Sequence, residues 1–430
     1  MKKTSSRLRE SYFSIPHKSG MQLLIFPKKM TTAYAAVVSR FGSIDRVFRT
    51  ADEPAFTAVP AGTAHYLEHK LFDNPDGRDP LAVFSELGAD ANAFTTNTIT
   101  AYYFSTQTNF APALEELLRM VLTPYFTKAS VKKERGIIAE EITSGRDAPI
   151  RRAASNLEKA LYRVCPVRDE VAGTRRSISK ITPEVLYRCH EVFYQPSNLI
   201  LSVCGDITPK EVEAVVDKVL PVFPAPKEII RAGYDEPPTV KRRRVTERMA
   251  TAKPICYLAT KDPVRPADPM ERLRHDTVVL LLSEALFSTS SPFYANQYDE
   301  GFLTAVYGHS YSATDRYAYH CVCGECADPA EFERRFWKYL AKVEREGIDP
   351  AAFERARRCL IADEIRTYDS TEEIGETLFL YAAEGVGIFD YLPVLEAITR
   401  EDCRKMISEL FVRERFCRSV ILPKETAPRS

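Results

Sequence analysis

His65-Tyr66-Leu67-Glu68-His69 sets two imidazoles four residues apart with a carboxylate next to the second. On a helix, residues i and i+4 share a face, so both rings can direct a nitrogen at one divalent cation. Glu68, three residues after His65, then lies close enough to take a proton from a water molecule held there. The chemistry this suggests is zinc binding with a general base built into the same turn. The chain has only seven histidines, and two fall at this ligand spacing, which weighs against a chance placement on an exposed helix. Ala64, Leu67, Leu71 and Phe72 supply apolar surface for burying the helix, while Gly62 and Thr63 offer a turn and an N-cap.

A catalytic zinc site usually has three protein ligands and one open position, so a further ligand must come from elsewhere. The best candidate segment is Glu134-Arg-Gly-Ile-Ile-Ala-Glu140-Glu141-Ile142, which reads as the start of a long helix running toward residue 161. Glu134 and Glu141 return to nearly the same face after two turns. One can bind metal while the other orients a ligand or holds the helix. Spacing does not separate Glu140 from Glu141, and the competing reading is a solvated acidic face with Lys132, Lys133 and Arg135.

With these residues in view, the chain resembles the pitrilysin/insulinase family of zinc metallopeptidases, the inverzincins, whose motif inverts the commoner His-Glu-x-x-His order. It is most similar to half-length bacterial members that include mitochondrial-processing-peptidase relatives. Matching segments are the five-residue motif, Gly88-Ala-Asp-Ala-Asn92-Ala-Phe94-Thr95, Glu134 and Glu141 with Asp147-Ala-Pro149, Phe193-Tyr-Gln-Pro196-Ser-Asn198 and Gly205-Asp206. The match is dense over the first half and weak over the second. Lys70-Leu-Phe-Asp73 and the Ala-Asn-Ala-Phe-Thr strand also look like bacterial proteins associated with elongation-factor-P modification.

The resemblance implies a zinc-dependent endopeptidase acting on peptides or on one dedicated precursor. It selects Glu141 over Glu140 as third ligand beside His65 and His69, for one zinc ion, and keeps Glu134 as a supporting carboxylate. Glu68 becomes the general acid and base. Asn92, Ala93, Phe94 and Thr95 become an edge strand to which a peptide substrate adds. In one respect the chain departs from the pattern. Family members carry an Arg and a Tyr seven apart in the second half, and here Gln297 and Thr304 occupy those positions, with Tyr298 and Tyr307 nearby. Because half-length members pair, the resemblance implies a heterodimer with a paralogous half-length chain that supplies the missing Arg and Tyr. Two alternatives remain: a catalytically silent accessory or structural subunit, and a metal hydrolase acting in protein modification.

Composition fits a soluble enzyme of two or three domains. The 430 residues balance 59 basic against 59 acidic side chains, so no bulk field recruits nucleic acid or an anionic membrane. The basic run Lys241-Arg-Arg-Arg244 reads as solvated linker. Ten cysteines without regular spacing suggest reduced core thiols in a cytoplasmic protein. Cys323-Gly-Glu-Cys326, read as a strand ending in a turn, lacks a second ligand pair. No apolar segment follows the charged N-terminus, and no run approaches the ~20 residues that span a bilayer.

Strands are expected over Gln22 to Pro27, Tyr34 to Val38, Ala91 to Thr95, Thr100 to Ser105 and Leu199 to Cys204, with helices at the His motif, Pro80 to Leu87, Ala111 to Leu122 and beyond Val131. The second half repeats this plan: strands near Ile255 to Ala259, Leu303 to Tyr311, Tyr317 to Cys323 and Ser419 to Leu422, and a helix over Met270 to Phe287. The expected fold is α+β: two homologous layered domains, each a mostly antiparallel sheet covered by helices on one face. Domain limits are 1–222 for the zinc-bearing domain, a Pro-rich linker at 223–245, and 246–430 for the domain without metal. Leu71-Phe72 and Leu286-Phe287 match at an offset of about 215 residues, which pairs His65, Glu68 and His69 with Leu280, Ser283 and Glu284.

Overall fold

The computed structural model describes residues 1–74, 77–220 and 225–424. Its contacts divide the chain into two compact units that do not follow the two halves of the sequence. Unit 1 takes 1–142, 170–233 and 365–389, and unit 2 takes 143–169, 234–364 and 390–430. One crossing, between Gly233 and Tyr234, falls inside the expected linker, of which residues 223 and 224 lie outside the described residues, as do Pro221 and Pro224 of the Pro-rich stretch.

Unit 1 contains β1 (Lys2–Ser5), β2 (Glu10–Pro16), β3 (Gln22–Pro27), β4 (Ala33–Ser39), β5 (Val47–Thr50), β6 (Thr57–Ala58), β7 (Ala89–Thr95), β8 (Thr100–Thr106), β9 (Leu199–Gly205) and β10 (Ile229–Arg231). They form a seven-stranded sheet in the order β1-β2-β3-β9-β4-β8-β7 and a small sheet, β10-β5-β6. Every pairing in the large sheet is antiparallel except β3 with β9. Unit 2 holds β11 (Arg244–Met249), β12 (Ile255–Asp262), β13 (Leu303–Ala313), β14 (Ala318–Cys326) and β15 (Phe416–Pro423), in the order β11-β15-β12-β14-β13. Here only β11 and β15 run parallel. Strand order and direction therefore repeat: β3-β9-β4-β8-β7 has the same plan as β11-β15-β12-β14-β13.

The helices of the first half are α1 (Thr63–Lys70), α2 (Pro80–Glu86), α3 (Phe110–Leu122), α4 (Lys128–Asp147) and α5 (Pro149–Leu161), followed by Pro183–Phe193 and Pro209–Val219. The single helix expected from Glu134 toward residue 161 is two helices. Pro149 forces Ala148 into an extended conformation, φ −85° and ψ 112°, and restarts the chain as α5. The expectation of helices on one face alone is also corrected. One face of the large sheet, with Leu23, Ile25, Ala35, Val37, Tyr102 and Leu201, packs on helices of the first half. The other, with Leu24, Phe26, Tyr34, Ala36 and Ile200, packs on Ile374, Leu378 and Phe379 of the helix Thr371–Ala383. In unit 2, Ala153 of α5 packs on Ile255 and Ile421. Each sheet thus takes one covering helix from the opposite half of the sequence. That is why strands such as β9, buried at all seven positions, read as continuous apolar runs.

An 18-residue window within residues 269–299 reaches the mean hydropathy of a membrane-spanning helix, although charged residues interrupt the segment. The helix Pro269–Phe287 stops at Ser288, and 61% of the apolar window is buried inside the protein. Cys323 and Cys326 both lie within β14 and not at a turn, and all ten cysteines are free thiols.

The cover helix lies close because Gly375 has no side chain: a Cβ there would come 2.2 Å from the Tyr34 ring, and the Gly375 carbonyl accepts a hydrogen bond from Ser202 Oγ at 2.7 Å. Gly375→Ala is expected to destabilise by about 1–3 kcal/mol through overpacking. Gly136→Ala on the exposed side of α4, where a Cβ meets nothing within 4 Å, is expected to stabilise by about 0.5–1 kcal/mol. Opposite shifts in the urea midpoint check both.

Candidate metal centre

The helix α1 starts at Gly62, whose φ of 92° is left-handed and whose Cβ would stand 2.6 Å from the Ala172 carbonyl oxygen. Only glycine meets both conditions. Thr63 is the first helical residue, not the cap, and its hydroxyl donates to the Pro60 carbonyl at 2.7 Å. Seven of the eight residues of α1 are buried. Tyr66 fixes the helix against α4, its phenol donating to the Val131 carbonyl.

That tie brings the two helices' polar side chains together. His65 Nε2 lies 3.5 Å from Glu141 Oε1, and His69 Nε2 lies 3.6 Å from Glu141 Oε2. Ligand atoms of His65, His69 and Glu141 all fall within 4.8 Å of one another, the one such group of three among the described residues. Two ligand atoms, each about 2.1 Å from a tetrahedral zinc ion, are separated by about 3.4 Å, so the observed spacings fit that ion and are long for hydrogen bonds. Glu134 Oε1 sits 2.9 Å from His69 Nδ1. It holds the proton on Nδ1 and leaves the Nε2 lone pair free, as carboxylates behind metal-binding histidines do. Glu140, which spacing left open, points away: its side chain is 77% exposed and pairs with Arg175.

The field at this site favours cations. Burial lowers the His69 pKa, but the hydrogen bond that His69 donates to Glu134 and the charges of Glu68, Glu134 and Glu141 outweigh it, and the net shift is upward. The surroundings that stabilise a proton on His69 stabilise a metal ion in its place.

Glu68 is buried, and its Oε2 accepts a hydrogen bond from Thr95 Oγ1 of β7. Beneath it the phenols of Tyr102 and Tyr194 meet at 2.8 Å. Burial, together with the nearby Glu68 charge, pushes both phenol pKa values up, so both stay protonated. Tyr66, Tyr102 and Tyr194 are the supporting partners that motif reading missed, and Thr95, expected on the substrate edge, also holds Glu68. A buried aromatic on a strand looks like core, and only the folded geometry shows which hydroxyls reach the site. Asn92, Ala93, Phe94 and Thr95 lie on β7, the terminal strand of the large sheet, with one edge unpaired.

In unit 2 the helix Pro269–Phe287 follows β12 as α1 follows β4. Leu280, Ser283 and Glu284, which the sequence offset pairs with His65, Glu68 and His69, stand on it. Ser283 Oγ bonds His309 Nδ1 and His320 Nε2, each at 2.8 Å, and no group of three ligands forms among the described residues. Gln297 is buried, its amide donating to the Phe293 carbonyl at 2.6 Å, and Thr304 Oγ1 donates to Glu325 at 3.1 Å. The Tyr307 phenol is engaged with the Phe287 carbonyl at 2.8 Å, whereas Tyr298 is 48% exposed.

Residues 57–175 match the model of the insulinase family (peptidase family M16), and residues 180–360 match the M16 inactive domain. The chain is 34% identical to the uncharacterized zinc protease YmfH of Bacillus subtilis (strain 168), over 97% of this chain and 98% of that protein. The crystal structure of an M16-like peptidase from Alicyclobacillus acidocaldarius superposes with a TM-score of 0.92 at 32% identity, covering 96% of this chain and 98% of that one. The periplasmic protease PqqL of Escherichia coli shares the fold at a TM-score of 0.73 and 16% identity, 96% of this chain matching 48% of that chain. On its two family matches and its near full-length identity to a zinc protease, this chain belongs to the insulinase family of peptidases, family M16.

Proposed function

We propose that this chain is a zinc-dependent endopeptidase holding one zinc ion on His65, His69 and Glu141. The observation that carries this reading is the 3.5 and 3.6 Å spacing of both imidazole Nε2 atoms from one carboxylate. A buried acid beside β7 completes the set. When bound, the ion supplies positive charge that polarises a carbonyl oxygen and makes water more acidic.

The chain's own residues supply the rest. A peptide laid along the free edge of β7 uses main-chain hydrogen bonds, which brings a scissile amide level with Thr95 and Glu68. Glu68 takes a proton from the attacking water and returns it to the leaving amine nitrogen. Thr95 fixes the Glu68 carboxylate during this exchange, and Glu134 keeps His69 in one tautomer. The protonated phenols of Tyr102 and Tyr194 close the floor, so Glu68 is the one base at this position.

The second half contributes shape and substrate contact. Gln297 and Thr304 are committed to local hydrogen bonds and offer neither a guanidinium nor a phenol, which supports a paralogous half-length partner as the source of these groups. PqqL matches this chain over 48% of its own length, so a chain about twice as long can carry this fold.

Glu68→Gln should lower peptide hydrolysis by about 10²–10⁴-fold while zinc content, read by elemental analysis, stays at one ion per chain. His69→Ala and Glu141→Ala should lose the ion itself. A silent accessory subunit predicts no hydrolysis by the wild type with any partner present. The purified chain should bind zinc but cleave slowly, and adding a paralogue that carries the Arg and Tyr should raise kcat/KM at least tenfold. Full activity of the isolated chain would remove the partner from the scheme.

A further inference from the structure

The sheet face turned away from the metal carries an acidic patch for which the mechanism has no use. Side chains alternate along β7: Ala89, Ala91 and Ala93 face the core under α1, and Phe94 faces the side covered by Thr371–Ala383, as Asp90 and Asn92 must by register. That helix lies over β9 and β4. On the neighbouring part of this face, Tyr103 stands opposite Asn92, its ring 6.1 Å from Phe94 and 5.7 Å from Tyr34, and Phe94 lies 6.4 Å from Phe379.

Three carboxylates surround this aromatic row. Glu372 and Glu376 from the helix and Asp90 from β7 all act on the Tyr103 phenol. None of the three has a hydrogen-bonded or ion-paired partner among the described residues. Burial and the like charges of Glu372 and Glu373 raise the Glu376 carboxyl above its ordinary value. A second observation comes from Tyr34. Its ring passes beneath Gly375, the residue is fully buried, and its hydroxyl, in the field of Glu376 and Glu372, has no partner. Buried hydroxyls are normally satisfied, and this one is left unpartnered beside uncompensated negative charge.

We propose that these residues form a subsite for a cationic substrate side chain, with Glu372, Glu376 and Asp90 supplying charge and Tyr103 a ring face, beside the buried, unpartnered Tyr34 hydroxyl. The placement rests on the peptidase reading, in which a peptide occupies the free edge of β7. Every second side chain of such a strand then leaves on this face. Lys and Arg, the longest side chains, reach across Asn92 and Phe94 to the carboxylates, and a cation over a tyrosine face gains further attraction. Shorter or acidic side chains gain nothing here, and acidic ones are repelled.

The test uses the full-length zinc-loaded protein and labelled peptides that differ at one position, carrying Arg, norleucine or Glu, with that position moved along the peptide. Affinity is measured on the Glu68→Gln protein by fluorescence anisotropy, and kcat/KM on the wild type. At one register the Arg peptide should bind roughly three- to tenfold more tightly than norleucine, and Glu more weakly. In Glu372→Gln/Glu376→Gln that ratio should fall to near one, with the circular dichroism spectrum unchanged. Equal affinities at every register, or an Arg preference that survives the double substitution, overturns the subsite. Hydrolysis without any Arg preference leaves the peptidase reading standing alone. An Arg preference in binding without hydrolysis supports the subsite and sinks the peptidase reading, and no peptide binding at all sinks both.

Discussion

A short helix buried on almost every side, yet bearing His65, Glu68, His69 and Lys70, is the constraint that the rest of unit 1 serves. Charged and polar groups in such a place are costly unless each finds a partner, and here the partners come from different parts of the chain. The helix α4 brings Glu134 and Glu141, β7 brings Thr95, and Asp73 just beyond α1 pairs with the Lys70 ammonium. The Tyr66 phenol on the Val131 carbonyl and the left-handed Gly62 set the position and angle of α1, so that these partners meet it in register.

The repeated strand plan brings three possible metal ligands together in one copy and, among the described residues, not in the other. The helix α1 presents two imidazoles and a carboxylate, whereas the helix Pro269–Phe287 presents Leu280, Ser283 and Glu284 at the positions paired by the sequence offset, with Ser283 in a hydrogen-bond network with His309 and His320. Because of the exchange of cover helices, each unit is built from residues of both halves of the sequence. The strands that hold the metal centre are sandwiched only when residues 371–383 are in place.

Local signals carried most of the strand and helix positions in the sequence. β3 runs over the same residues as its apolar stretch, and α1, α2, β7, β8 and β9 lie within two residues of their patterns. The histidine pair was legible from its i and i+4 spacing, whereas spacing left Glu140 and Glu141 open and only the family resemblance chose between them. What stayed hidden depends on contacts distant along the chain. The both-sided burial of the large sheet is imposed by a helix more than 150 residues beyond β9, although the unbroken apolar runs of β3, β4 and β9 were its trace. The break at Ala148 is marked in the sequence only by Pro149. The β1 and β2 hairpin and the β11 edge are mixed polar segments whose strand state is fixed by pairing with neighbours and not by their own composition.

The unpaired margin of β7 has another side. An open strand edge is a template for any extended chain, including another copy of the same strand, and proteins that keep one must discourage self-association. Asp90 places a charge on that margin, and Asn92 folds its own side-chain oxygen onto the Ala93 N–H at 2.8 Å. A strand that partly satisfies its own donor resists casual aggregation, and an incoming chain must first displace that amide to dock.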